Sequence, residues 1–359
     1  MVLTCRPTVF KQNSSREKTP EHPSDSSRQS EFTPPDEDHG ATGPSSLRRA
    51  EWTAQGLAQR LPLDLEEVAA VSDRFRLRVP HHYLGLIGEA GDPIWRQAVP
   101  SAAELGEAEM DQDPLAEDDP EYAPVPHLTH RYPDRVLLLV TDLCPMYCRF
   151  CMRKRKTLAG AEITPDTVAR GIAYVRRTPQ VREVILSGGD PLMLTDRRLS
   201  AIIRELRTIG HVEAIRIHTR MPCVEPGRVT ESLAESLTAH GPLTVCVHFN
   251  HPREVTPAAE RALGTLRRAG IPLHNQAVLL AGVNADPAVL ADLFRRLMRM
   301  GVHPYYLHHP DLVPGTAHFR LSVQDGQAIV AALREMAPDL AMLHYVLDTP
   351  GGGGKVPLG

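Results

Sequence analysis

Lysine is scarce in this chain. Of the 40 basic residues, only Lys11, Lys18, Lys154, Lys156 and Lys355 are lysines; the others are arginine. Chemistry that needs an amine nucleophile therefore has few candidates. Long apolar runs are also missing. None approaches the roughly 20 residues that a membrane-spanning helix requires, so no membrane association is expected. Neither sign of charge dominates, with 44 acidic residues against 40 basic and a net charge of −4. No net basic field draws in phosphates, which argues against a nucleic-acid partner. The N-terminus lacks the basic-then-apolar order of a secretory signal, and a soluble cytoplasmic protein is expected. With 42% hydrophobic residues and six cysteines in 359, the chain is neither disordered throughout, nor collagen-like, nor a disulfide mini-protein. Its length allows one large domain or two ordinary ones.

Residues 1–48 read as a disordered polar tail, since from Asn13 to Ser46 the only strongly apolar side chain is Phe32. Residues 49–125 read as a small helical region and an acidic linker. Trp52, Leu57, Leu61, Leu65 and Val68 have helical spacing, Pro80 interrupts it, and Glu109–Glu121 is poor in large apolar residues. From residue 126 to 345 strand alternates with helix. Val136–Val140, Val184–Leu186, Ala214–Ile217, Leu243–Val247, Gln276–Leu280 and Tyr305–Leu307 read as buried strands. Helices are expected from Thr164 and over 196–208, 228–239, 257–269, 287–299 and 322–336. Six βα repeats imply an α/β fold with parallel strands, for which a partial or complete barrel suits the regular spacing better than an open doubly wound sheet. The site belongs at the C-terminal ends of the strands.

Three cysteines sit directly after the first strand, in Cys144-Pro-Met-Tyr-Cys148-Arg-Phe-Cys151. One loop with this spacing can set three thiolates around a face of a [4Fe–4S] cube, leaving the fourth iron open. Structural zinc favours paired hooks, and no second hook exists. At the end of the second strand, Ser187-Gly188-Gly189-Asp190 permits close backbone approach to a ligand, although a tight turn explains it equally well. A last motif, Asp348-Thr-Pro-Gly351-Gly-Gly-Gly354-Lys355, reads either as a floppy tail or as a mobile carrier for an amine able to capture an aldehyde.

The cysteine motif resembles that of the radical S-adenosylmethionine (SAM) superfamily. Together with the glycine-rich lysine tail, and with Leu128-Thr-His-Arg131, Val247-His248-Phe-Asn250-His251-Pro and Asp311-Leu-Val-Pro-Gly315, it makes the chain similar to the lysine 2,3-aminomutase family. That resemblance implies a partial (βα)6 barrel of the radical SAM type, followed by a tail at 346–359. It implies an isomerase that moves the α-amino group of L-lysine to the β-carbon, using a [4Fe–4S] cluster on Cys144, Cys148 and Cys151, SAM, and pyridoxal phosphate on Lys355. By the same resemblance Arg131 and Arg135 hold the pyridoxal phosphate group. Ser187, Gly188, Gly189, Asp190, His248 and Gln276 line the SAM site, with the Asn250 region nearby. Arg153 clamps the substrate α-carboxylate, while Asp311 and Asp348 grip the distal ammonium. Arg149, Lys154, Arg155 and Lys156 balance the cluster charge or are solvated.

A reductant such as flavodoxin or ferredoxin is the expected partner. The best-known members have a cysteine-bearing C-terminal extension that binds zinc between subunits. This chain lacks it and has Asp286 where those members offer a cysteine, so no structural zinc is expected, the tetramer is in doubt and a homo-oligomer stays open. Rival readings are an arginine or glutamate 2,3-aminomutase, an enzyme acting on a lysyl residue of translation elongation factor P, or an iron–sulfur electron carrier. The carrier would leave Lys355, Arg131 and Arg135 unused.

Overall fold

The computed structural model describes residues 50–106, 112–158, 163–340, 343–349, 351 and 353–359; the tail expected at 1–48 lies outside them. The described chain begins with a small ribbon, β1 (Ala50–Glu51) antiparallel to β2 (Val79–Pro80). Between these strands lie helices Ala54–Ala58 and Leu65–Arg74. Asp64 starts the longer helix by accepting the N–H groups of Glu66 and Glu67. That helix ends before Phe75, so Pro80 interrupts nothing and pairs instead with Ala50.

Nine strands follow: β3 (Leu128–Tyr132), β4 (Arg135–Thr141), β5 (Glu183–Gly188), β6 (Ala214–Thr219), β7 (Thr244–Val247), β8 (Leu273–Val278), β9 (Val302–His308), β10 (His344–Thr349) and β11 (Gly354–Pro357). They lie side by side in chain order. Strands β4 to β10 run parallel, with β3 and β11 antiparallel at the edges. The six expected βα units are present; β3, β10 and β11 are additions. The crossover helices are Pro165–Arg176, Asp196–Arg207, Glu231–Thr238, Pro257–Arg268, Pro287–Arg299 and Val323–Met336. Each begins on a side chain that accepts one of its free N–H groups: Thr164, Thr195, Thr230, Thr256, Asp286 and Ser322. Asp286 is thus a helix cap.

Apolar residues spaced three and four apart, such as Leu199, Ile202, Ile203 and Leu206, bury the inner faces of these helices. They share one core with strand residues Val184, Leu186 and Ile217 and with Leu57, Val68, Val79 and Ile94 of the N-terminal segment. The helical region before the barrel is therefore packed into it. The sheet edges also meet. The backbone N–H of Lys355 on β11 donates to the Tyr132 hydroxyl on β3 at 2.9 Å, curling the nine strands into a nearly closed barrel. No helix among the described residues is long and apolar enough to cross a membrane.

Candidate active site

The barrel encloses a cavity of ≈540 Å³, and every site residue singled out from sequence lines it except Asn250. Asn250 is buried in the wall. Its side chain donates to Gln97 and accepts from the Val278 N–H.

At one end are Cys144, Cys148 and Cys151, on the loop leaving β4. Burial, then the negative charge of Cys151, Asp190 and Cys148, pushes the Cys144 thiol up. Burial, then Cys148, does the same to Cys151. Thiols crowded so that Cys144 and Cys151 resist ionisation suit a cationic cluster, which relieves that repulsion. Among the described residues no three such side chains converge on one ion-sized point; a cube spreads its thiolates over separate irons. Arg220 donates to the Cys148 sulfur at 2.7 Å and, through its other nitrogen, to Glu254 and Gln97 at 2.8 and 2.7 Å.

The glycines of β5 serve this loop. A Cβ at Gly188 would lie 2.1 Å from the Thr141 carbonyl oxygen, and one at Gly189 would lie 2.1 Å from that of Leu143. In the structure they pack against the cysteine loop, which is held by Gly189 N–H to Thr141 O (2.6 Å) and Asp190 N–H to Leu143 O (2.8 Å). The Asp190 carboxylate is engaged by the Thr219 hydroxyl and the N–H groups of Arg220 and Leu192. It fixes the turn that aims Arg220 at Cys148.

Mid-cavity, the Gln276 amide meets His248 and lies 3.1 Å from His218 Nδ1. Burial keeps these imidazoles neutral, with His248 pulled down to about 3 and His218 well below its usual value. His308 is likewise pulled down to about 3, by burial and then by Lys355.

At the far end, β10 and β11 form a hairpin with Asp348 opposite Lys355. Of the tail read as floppy or mobile, Gly354–Pro357 is strand here, paired with β10. Lys355 Nζ donates to Asp348 Oδ2 at 2.6 Å. Asp348 Oδ1 is buried with no hydrogen-bond partner, and Arg131 Nη1 lies 3.7 Å from it. Burial and the Asp348 charge push the Asp311 carboxyl up to about 7, against the pull of Lys355 and Arg153. Arg135 grips Asp134 with its Nε and Nη2 and reaches Glu183 at 3.3 Å; Arg216 meets the same Glu183 at 2.6 Å. The Nε atoms of Arg131 and Arg216 are buried and unpartnered.

The cationic run behind the cysteines is engaged rather than solvated. Arg149 is buried against Glu104 (2.6 and 2.9 Å), Lys154 donates to the same carboxylate at 2.7 Å, and Lys156 pairs with Asp118 at 2.8 Å. Arg155 pairs with Asp113 and Asp118. Arg153 meets Glu117, from the stretch read as linker. Sequence reasoning missed Glu117, Arg220, Arg216 and His218. The last two alternate on an otherwise apolar strand, a period-two pattern that marks polar groups facing a barrel interior.

A model of the radical SAM superfamily matches residues 138–294. L-lysine 2,3-aminomutase of Fusobacterium nucleatum is 45% identical over 299 residues, 82% of this chain and 70% of its own. L-lysine 2,3-aminomutase of Clostridium subterminale is 44% identical over 313 residues, 85% of this chain and 75% of its own. Glutamate 2,3-aminomutase of Clostridioides difficile is 38% identical over 297 residues, 82% of this chain and 70% of its own.

Proposed function

This chain belongs to the lysine 2,3-aminomutase family of radical SAM isomerases, whose cofactors are a [4Fe–4S] cluster, SAM and pyridoxal phosphate, and from that premise we propose that it moves the α-amino group of free L-lysine to the β-carbon. Cys144, Cys148 and Cys151 hold the cluster, with Arg220 compensating thiolate charge. Ser187, Gly188 and Gly189, with His248 and Gln276, line the SAM end, and Asp190 acts behind them. Lys355 carries pyridoxal phosphate. Arg131, Arg135 and Arg216 form its phosphate rim, and the unpartnered nitrogens of Arg131 and Arg216 fit an incoming anion. When bound, these groups supply a carbon radical that abstracts hydrogen and a ring system that delocalises the unpaired electron. The cluster would take its electron from an external one-electron donor, such as a flavodoxin or ferredoxin.

The chain's own contribution is orientation and exclusion of water. Arg153 receives the substrate carboxylate while Asp311 and Asp348 receive the distal ammonium, fixing the side chain at both ends. One observation carries the choice of lysine: two carboxylates share the cavity beside Lys355, with Asp348 Oδ1 making no hydrogen bond and Asp311 resisting ionisation. A cation relieves both, whereas a glutamate side chain adds a third negative charge.

The test is anaerobic turnover with lysine, arginine and glutamate, run beside Asp348→Asn. Lysine should give β-lysine fastest. Asp348→Asn should lower kcat/KM for lysine by about 2–4 kcal/mol in transition-state terms while iron content is retained. Faster turnover of arginine, or unchanged lysine turnover in the variant, overturns the reading.

A further inference from the structure

Arg153 is held from one side only. Glu117 takes its Nε at 3.0 Å with both carboxylate oxygens and its Nη2 at 2.7 Å. Nη1 carries no hydrogen bond and is not among the buried, unpartnered atoms, so it is open to the cavity that Arg153 lines. Glu117 itself cannot follow the arginine about. Its N–H and that of Asp118 donate to the Asp113 carboxylate at 3.0 and 2.7 Å. The Pro114 carbonyl accepts from Gly351 N–H at 2.9 Å, and the Leu115 carbonyl accepts from Arg131. Asp118 is tied to Lys156 and Arg155. The segment 113–118, which lines the cavity through Leu115 and Glu117, is thus tied to the cationic run, to β3 and to Gly351 after β10.

We propose that Glu117 is the positioning residue for Arg153: it grips the guanidinium along its Nε edge and turns the opposite edge into the cavity, to receive the substrate α-carboxylate. The proposal rests on the reading of Arg153 as the carboxylate anchor. A guanidinium offers two edges for paired hydrogen bonds, and filling one with a fixed carboxylate leaves the other pre-organised at little rotational cost. The charge of Glu117 is permanent. Burial opposes it, but Arg153, with Lys156 and Arg155 behind, prevails and draws the carboxyl down to about 2.

The experiment compares lysine with lysinamide, which keeps both amines but has no α-carboxylate. Equilibrium dialysis on the protein loaded with cluster, SAM and pyridoxal phosphate, without reductant, measures Kd for each. The variants are Glu117→Gln, Arg153→Gln and their combination. Glu117→Gln should weaken lysine binding about 10- to 100-fold, the usual loss for one charged contact, and leave lysinamide unchanged. In turnover, KM for lysine should rise with kcat near wild type. In the Arg153→Gln background, adding Glu117→Gln should do nothing further. Equal weakening of both ligands by Glu117→Gln, or no weakening of either, overturns the proposal while Arg153 keeps its role. An unchanged preference for lysine in Arg153→Gln overturns the anchor reading itself. The double variant has no uncompensated buried charge, so it reports even if Glu117→Gln alone folds poorly.

Discussion

Asp311 and Asp348 share a cavity end with Lys355 but meet it differently. Asp348 is salt-bridged to the lysine, while burial and the Asp348 charge hold the Asp311 carboxyl near 7. Below that pH Asp311 keeps its proton and offers an ammonium only a dipole; above it the full charge is available. The kcat/KM for lysine should therefore rise between about pH 6 and pH 8, and a pH–rate profile of Asp311→Asn should lose that limb. Stability runs the opposite way. The folded carboxyl holds its proton to higher pH than the unfolded one, so the stability present at about pH 4 is lost as pH rises through 7. Asp311→Asn should accordingly raise Tm at about pH 8 and change it little at about pH 4. Which residue types carry the chemistry was legible in the sequence, because three closely spaced thiols and one isolated lysine are rare. Partners such as Glu117 for Arg153 were not legible, since nothing within 30 residues announces a pairing that only folding creates.

Elements place these side chains more tightly than motifs imply. Ser187-Gly188-Gly189 lies at a strand end, as expected, and its glycines pack against the backbone of the cysteine loop. Gly189→Ala should therefore act on the cluster. Its methyl group meets the Leu143 carbonyl, a backbone atom that cannot swing aside, and the loop must shift. Iron and sulfide per chain after anaerobic reconstitution should fall below half of wild type, while circular dichroism stays near wild type. The parallel strands β4–β9 were recoverable from short apolar runs such as Val136–Val140 and Val184–Leu186, although the run expected at Gln276–Leu280 is strand only to Val278, where β8 ends after starting at Leu273. Strands β3, β10 and β11 were not. β11 starts at the end of a glycine run of poor strand propensity, and its order comes from pairing with β10 and from Tyr132, far away in the chain.

Across the whole molecule, the N-terminal segment clamps the cluster loop. Glu104, fully buried, binds both Arg149 and Lys154; Gln97 Oε1 accepts from Arg220; and Arg78 donates to the Cys144 carbonyl. Removing one member of such a network strands the others. Glu104→Gln should cost about 3–5 kcal/mol, read as a lower Tm, with faster iron loss to a chelator than from wild type. Such buried ionic networks were invisible in composition, which shows only balanced charge. The ring itself has a kinetic corollary. Its seam, the Lys355 N–H on the Tyr132 hydroxyl, joins residues 223 positions apart. Loop closure of that span is entropically expensive and gains nothing until the intervening ladders stand. The seam is therefore expected to be among the last contacts made, so that the amine enters its pocket only when the walls are already built.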